Sequence, residues 1–359
     1  MVVGNVRPAV AALAAYRPGK GAEQAEAEHG ISDAIKLASN ENPYDTVPKV
    51  AAAIAAAASG VNRYGDHRAG DLRAAIGQWL GVDESTVTVG CGSVGLLQQL
   101  CLTYIDPGDE VVYPWLSFEA YPVNVKMMAG VPVTVPLVDH SFDLQAVADA
   151  VTPKTKIVML ATPNNPTGTA IHTSEIKQLL ETISDDVIVL VDEAYREFMI
   201  GDFGDPVHDL VPHHRNVIVT RTFSKAYGLA GLRSGYAVTD PEIVGELDKV
   251  LLAFAVNSLA QAGALAAIGA MDEIQPKIDT LLMERDRVVE AMTGAGWELP
   301  DAQANFIYVP VGASTDELSV GLERRGVVVR PFSGDGIRVT IGTPEQNDRF
   351  LTNFLELTS

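Results

Sequence analysis

At 359 residues, with 47% apolar and 20% charged residues, the chain has an ordinary globular composition. It is long enough for about two domains, since single cores rarely grow past roughly 250–300 residues. Two cysteines, Cys91 and Cys101, are too few for a disulfide framework and favour a reducing, cytoplasmic setting; a formal charge of −20 argues against a nucleic-acid partner.

The chain opens on a short apolar run. Arg7-Pro8 interrupts its approach and Arg17-Pro18-Gly19 ends it without a small-residue cleavage site, so no secretory leader is expected. Residues 51–58 are alanine-rich and helical by propensity. Residues 71–80 have helical spacing, 86–89 read as a strand, and 95–104 as a second helix. The turn Asp106-Pro107-Gly108 introduces a strand over 110–113. Residues 156–160, 187–191 and 216–220 are β-branched apolar runs of strand length between helical patterns, as expected of strands buried on both faces. The pattern predicts a mostly parallel α/β domain over residues 60–240.

After Pro241 the pattern changes to longer helices, over 242–253 and 274–293, and strands return at 306–309, 327–329 and 337–341. This predicts a smaller α+β domain formed by residues 1–59 with 241–359. The most apolar stretch, 250–271, is nearly long enough to span a bilayer but contains Asn257, Ser258 and Gln261. It reads as a buried helix broken near Asn257, with no membrane partner.

Four segments carry side chains suited to chemistry. Gly90-Cys91-Gly92-Ser93-Val94-Gly95, between a strand and a helix, matches G-x-G-x-x-G, and the helix N-terminus offers unpaired N–H groups to an anion. A dinucleotide reading needs an acid at the end of the second strand, whereas Asp109 and Glu110 begin theirs. A single phosphate or a plain helix cap remains. Ala161-Thr162-Pro163-Asn164-Asn165-Pro166-Thr167-Gly168 is a turn fixed by prolines and a glycine, either a plain connection or a device that orients Asn165. Asp192 ends a wholly apolar strand, where a carboxylate either meets a cation or caps the next helix. Lys225, in Thr222-Phe223-Ser224-Lys225-Ala226-Tyr227-Gly228, comes just after a strand among small, hydroxyl and aromatic residues. Burial there lowers a lysine towards its neutral, nucleophilic form. Thr222, Ser224 and Arg233 add two hydroxyls and a cationic fork suited to phosphate. No metal-ligating set is expected.

In this order, the glycine-rich turn, Asn-Asn-Pro-Thr-Gly, Asp-x-Ala-Tyr and Thr-Phe-Ser-Lys-Ala-Tyr-Gly resemble the fold-type-I pyridoxal-phosphate aminotransferases, in particular the histidinol-phosphate aminotransferase-like branch. The likeness extends to Ser39-Asn40-Glu41-Asn42-Pro43-Tyr44, Arg63-Tyr64-Gly65-Asp66, Ala304-Asn305-Phe306 and the segment 336–343 around Arg338. It implies a large domain with a mostly parallel, seven-stranded type of sheet and a smaller α+β domain. Pyridoxal 5′-phosphate is the implied cofactor, in Schiff-base linkage to Lys225, which then moves the substrate proton. Asp192 would pair with the ring nitrogen, Asn165 and Tyr195 with the phenolic oxygen, and Phe118 would stack on the ring. The phosphate would sit on the N–H groups of Ser93 and Val94, among Thr222, Ser224 and Arg233, with Tyr64 arriving from the second subunit of a homodimer. Arg338 would hold the substrate α-carboxylate. The chain lacks the acidic pair usual in the family's glycine-rich turn, having Val94 and Gly95 instead.

Within the branch, Trp115-Leu116-Ser117-Phe118-Glu119-Ala120-Tyr121-Pro122 looks more like the aromatic amino acid (phenylalanine) aminotransferases than the histidinol-phosphate enzymes. Asn42 is expected to bind substrate, and Tyr16, Tyr121 and Arg330 to lie near the substrate side chain. The expected reaction is amino transfer between an aromatic L-amino acid and a 2-oxo acid such as 2-oxoglutarate, the alternative being histidinol phosphate. A related decarboxylase or lyase would share the lysine and aspartate without needing Arg338.

Overall fold

The computed structural model describes residues 4–14 and 19–359. Its centre is a seven-stranded sheet made of β1 (Val87–Gly90), β2 (Glu110–Trp115), β3 (Val131–Pro136), β4 (Thr155–Ala161), β5 (Ile188–Asp192), β6 (Val217–Thr222) and β7 (Gly235–Thr239). The spatial order is β1-β7-β6-β5-β4-β2-β3. All neighbours run parallel except β7, which is antiparallel to both β1 and β6. Helices cover both faces, and alternate residues therefore enter two different cores. Val158, Leu160, Val189, Val191, Val217 and Val219 face one, while Ile157, Met159, Leu190 and Ile218 face the other. That is why these strands read as unbroken apolar runs.

A second sheet is built from β8 (Phe306–Val309), β9 (Arg330–Phe332) and β10 (Gly336–Thr340), antiparallel in the order β9-β10-β8. Residues Ile35–Lys36 pair in parallel with Val327–Val328, which ties the N-terminal segment to this part of the molecule. The expected strands are therefore present to within a residue or two at their ends. β3 is not anticipated by the sequence pattern: it carries Pro132 and Pro136 and lies at the sheet edge, where a missing N–H is tolerated. Nor are β7 and β9 separately anticipated.

The helix expected over 242–253 stops earlier, spanning Pro241–Lys249, and the chain re-enters a helix only at Ser258–Ile268. Asn257 caps that helix, its side chain accepting from the Ala260 N–H at 2.9 Å. The break expected near Asn257 is thus a helix start, and the residues before it are not helical. The long helix Met271–Gly294 comes next. Among the described residues no helix is long and apolar enough to cross a membrane.

Parallel strands deliver successive elements to one edge of the sheet. Ala161 pairs with Asp192, Asp192 with Thr220, and Thr222 with Gly235. The C-terminal ends of β4, β5 and β6 therefore lie side by side, where open α/β sheets place their ligands.

Candidate active site

A cleft opens over that edge, lined among others by Ser93, Val94, Phe118, Asn165, Asp192, Tyr195, Thr222, Ser224, Lys225, Arg233, Arg330 and Arg338. Most of the residues singled out in the sequence are brought to this one place, from segments far apart in the chain.

One end of the cleft is a cradle for an anion. The helix Gly92–Tyr104 begins under it with the N–H groups of its first turn, and Gly92 has φ +72°. A Cβ on Gly92 would lie 2.5 Å from Arg233 Nη2, and one on Gly235 would lie 2.7 Å from the Ser93 nitrogen, so both glycines are required by close approach. Arg233 Nη1 donates to Ser224 Oγ at 3.3 Å, and Thr222 Oγ donates to Ser224 Oγ at 3.0 Å. Two hydroxyls, a guanidinium and a helix N-terminus converge without a carboxylate among them, a donor set that fits a phosphate group. Loss of the usual acidic pair leaves this set intact.

In the middle of the cleft stand two groups whose protonation burial has shifted. Lys225 Nζ donates to Ser39 O at 3.1 Å and lies 5.7 Å from the centre of the Tyr195 ring. Burial, with repulsion from Arg338 added, pushes its amine down to about 7. Asp192, only 8% exposed, accepts from Tyr121 Oη at 3.1 Å and from Thr220 Oγ at 3.3 Å. These bonds do not balance the loss of water, and burial pushes its carboxyl up to about 6. A cation placed against Asp192 would restore the charged form, as the protonated pyridine nitrogen of pyridoxal phosphate does. The lysine, the carboxylate and the phosphate cradle therefore fit that cofactor as one set.

The far wall holds two arginines. Arg338 is 6% exposed, donates to Ala38 O at 2.6 Å and to Asn165 Oδ1, and lies 5.4 Å from the centre of the Phe306 ring. Arg330 donates to Glu119 Oε2 through Nε at 3.2 Å and Nη2 at 2.6 Å. The adjacent amides of the Asn164-Asn165 turn divide their work. Asn164 is fully buried and bonds to Ser117 Oγ, Leu116 O and Thr167 Oγ, tying the turn to the Phe118 segment, while Asn165 faces the cleft.

Three expectations about substrate contacts are not met or not covered. Tyr121 is fully buried with its hydroxyl on Asp192 and its ring against Phe118 at 5.7 Å, because its helix, Ala120–Met127, turns that face into the core. It supports Asp192 from beneath instead of forming a side-chain wall. Asn42 Nδ2 donates to Ala226 O at 3.1 Å and its Oδ1 accepts from the Tyr44 N–H at 3.0 Å; it lines an adjacent cavity behind the Lys225 loop. Its amide is committed to the backbone and does not reach the cleft. Tyr16 lies outside the described residues. Tyr64 does not line the cleft of its own chain: it is 83% exposed and stacks on Phe254 at 4.4 Å.

Some supporting residues are not marked by local sequence. Asn40, 1% exposed and with φ +54°, donates from Nδ2 to Tyr195 Oη at 2.9 Å and is itself held by Thr340 Oγ. Its only signal is membership of the Ser39–Tyr44 motif. Glu119 has no signal beyond its place next to Phe118.

Residues 32–354 match the family model of aminotransferase class I and II. The chain is 44% identical over 347 residues to the aromatic amino acid aminotransferase of Mycobacteroides abscessus, covering 97% of each chain. It is 46% identical over 340 residues to that of Rhodococcus opacus, covering 94% of this chain and 92% of the relative. Among solved structures it is similar to histidinol-phosphate aminotransferase from Sinorhizobium meliloti in complex with pyridoxal-5′-phosphate. The TM-score is 0.91 at 27% identity, with 100% of this chain and 99% of the other covered. With a lysine, an aspartate and a phosphate cradle assembled at the C-terminal edge of the sheet, the chain belongs to the class I and II aminotransferases, a pyridoxal-phosphate-dependent family of α/β fold.

Proposed function

We propose that the protein transfers the amino group between an aromatic L-amino acid and a 2-oxo acid such as 2-oxoglutarate. The observation that carries the chemistry is the meeting, in one cleft, of a lysine pushed down to about 7, a buried carboxylate and an arginine fork. The substrate class is supported by likeness, over nearly the whole chain, to aromatic amino acid aminotransferases.

Bound pyridoxal phosphate supplies an electron sink for the charge left when the substrate Cα loses its proton. Lys225 would hold the cofactor through Nζ, and its neutral amine is the base placed to take the substrate Cα proton and hand it on to the cofactor carbon. Asp192 would keep the ring nitrogen protonated, with Tyr121 and Thr220 fixing its carboxylate. Asn165 and Tyr195 would bond the phenolic oxygen, and Asn40 orients Tyr195. Phe118 would stack on the ring, while Ser93, Val94, Thr222, Ser224 and Arg233 would hold the phosphate. Arg338, anchored by Asn165 and Ala38, presents its fork to the substrate α-carboxylate.

The assembly is a homodimer in this reading, with Tyr64 of each chain completing the phosphate site of its partner. Exposed Val61, Tyr64, Leu252 and Phe254 support it as a patch suited to burial against a second copy. Residues 60–240 form the large cofactor-binding domain and residues 1–59 with 241–359 the small one. Free thiols at Cys91 and Cys101 are in keeping with a cytoplasmic enzyme.

Steady-state rates with phenylpyruvate, 4-hydroxyphenylpyruvate and imidazole acetol phosphate as amino acceptors test the substrate class. The aromatic acids are expected to give the highest kcat/KM. A preference for imidazole acetol phosphate would move the protein to histidinol-phosphate transamination.

A further inference from the structure

We propose that His67 and Phe254 are positioning residues: together they fix the direction in which Tyr64 leaves its own chain to complete the phosphate site of the second subunit. The inference rests on the homodimer proposed above and extends it to the residues that aim Tyr64.

Phe254 is strained. Its φ is +57°, in the left-handed region, where a bulky side chain is an outlier that persists only when its surroundings impose it. It lies in the non-helical stretch between the helices Pro241–Lys249 and Ser258–Ile268, and it is 38% exposed. A ring so exposed buries little against its own core, so packing within the chain does not account for the strain. The contacts that hold it come from a remote segment. His67 Nδ1 accepts from the Phe254 N–H at 3.2 Å across 187 positions of sequence, and the two rings meet edge-on at 5.4 Å. Gln261 Nε2 donates to Asp66 O at 3.0 Å and to Val256 O at 2.8 Å, so one side chain ties the two stretches together a second time.

The outcome of this arrangement is the placement of Tyr64. Its ring stacks on Phe254 at 4.4 Å with 20° between the planes, although the residue is almost wholly exposed. A tyrosine on an open surface samples several rotamers, and each one that points elsewhere lowers the fraction able to reach a phosphate on the second subunit. Stacking on a ring that is itself held removes those alternatives before the subunits meet, and less ordering is then required when the hydroxyl makes its contact. The strained backbone, its histidine acceptor and the exposed stack thus act as one bracket for a side chain used outside its own chain.

Titration of the cofactor-free protein with pyridoxal phosphate tests this, read by the visible absorbance of the lysine-bound form at concentrations where sedimentation shows dimers. Tyr64→Phe sets the scale, since losing one hydroxyl contact should weaken binding about fivefold. His67→Ala strips the Phe254 N–H of its acceptor and should weaken binding about threefold. His67→Asn, whose side-chain oxygen can accept in place of Nδ1, should restore most of the loss. Phe254→Ala removes the stack and should act like His67→Ala, which keeps the proposal testable if the histidine variant does not fold. Because both changes act through the Tyr64 hydroxyl, adding His67→Ala to Tyr64→Phe should weaken binding no further. The damage should also fall on the opposite site: a His67→Ala chain paired with a Lys225→Ala chain should regain parental affinity at its own lysine, since the Tyr64 it receives comes from a chain with His67 intact. Parental affinity in both His67→Ala and Phe254→Ala, a loss that adds fully to that of Tyr64→Phe, or damage confined to the altered chain's own site would overturn the proposal. Parental affinity in Tyr64→Phe itself would instead condemn the shared-site reading on which it rests.

Discussion

Two clusters of buried charge lie back to back at the end of β5, and they are built on opposite terms. Asp192 faces the cleft, and the next residue, Glu193, lies on the other side of the chain. Glu193 is 1% exposed, yet it accepts from Arg221 Nε at 2.8 Å and from Arg196 Nη1 at 2.9 Å, while Arg221 Nη2 donates to Asp205 Oδ1 at 2.6 Å. Two carboxylates and two guanidinium groups complete one another there. Against burial, Arg221 and Arg196 still hold Asp205 below the usual carboxylate range. On the cleft side burial dominates instead: Asp192 is pushed up to about 6 and Lys225 down to about 7. Ion pairs closed within the chain serve the fold, whereas shifted groups that meet in a cleft mark a candidate ligand site.

The sharpest way to break this comparison is Lys225→Ala, expected to reduce turnover by about 10³-fold or more and to abolish the visible absorbance of the lysine-bound cofactor. Retained turnover would remove Lys225 from the chemistry. Lys225→Met tests the electrostatics in the cofactor-free protein. A lysine whose folded pKa lies below its unfolded value costs stability in full below about pH 7, and that cost fades as pH rises towards the ordinary lysine value of roughly 10.4. The variant should therefore melt higher than the parent at pH 6, with the gap closing between about pH 7 and 10.

On the satisfied side the effect should fall on stability. Arg221→Met strands Glu193 and Asp205 and should cost about 3–5 kcal/mol in denaturant unfolding, while the protein that remains folded keeps most of its cofactor affinity. A large loss of cofactor binding at unchanged stability would show that the two clusters are not separate devices.

Asp192→Asn preserves size, and its amide oxygen can accept from one of the Tyr121 and Thr220 hydroxyls while its NH2 donates to the other, so the fold should be unaffected. Single-turnover proton transfer should slow by roughly 10²-fold or more, because the ring nitrogen loses its anion. Near-parental rates would return Asp192 to a merely structural role. The smallest effect belongs to Tyr64→Phe, which should cost about 1 kcal/mol of cofactor retention and leave kcat nearly unchanged. Mixed dimers of Lys225→Ala and Tyr64→Phe chains should regain tight cofactor binding at the lysine-bearing site. Failure to do so after verified subunit exchange would place Tyr64 outside its partner's site.

Much of this is legible in the amino-acid sequence because it rests on local causes. Apolar β-branched runs over 156–160, 187–191 and 216–220 determined the buried strands, and Asp192 and Lys225 are marked by chemistry that jars with their surroundings. The proline-bracketed turn and the glycine-rich helix start carry their own geometry. Other features depended on neighbours that no local pattern reveals. Tyr121 and Asn42 have residue types suited to a substrate pocket, yet helix orientation turned one under Asp192 and backbone groups claimed the other. Asn40 reaches Tyr195 only because the N-terminal segment pairs with Val327–Val328 beside the small sheet, across 155 positions of sequence. Glu119 meets Arg330 across 211. Backbone preference and burial are properties of a short stretch and its composition, so the sequence determined most of the buried strands, the turns and which residues are candidates for the chemistry. Which polar atom answers which charge is a matter of distances of about 3 Å between remote segments, and only the tertiary structure decided that.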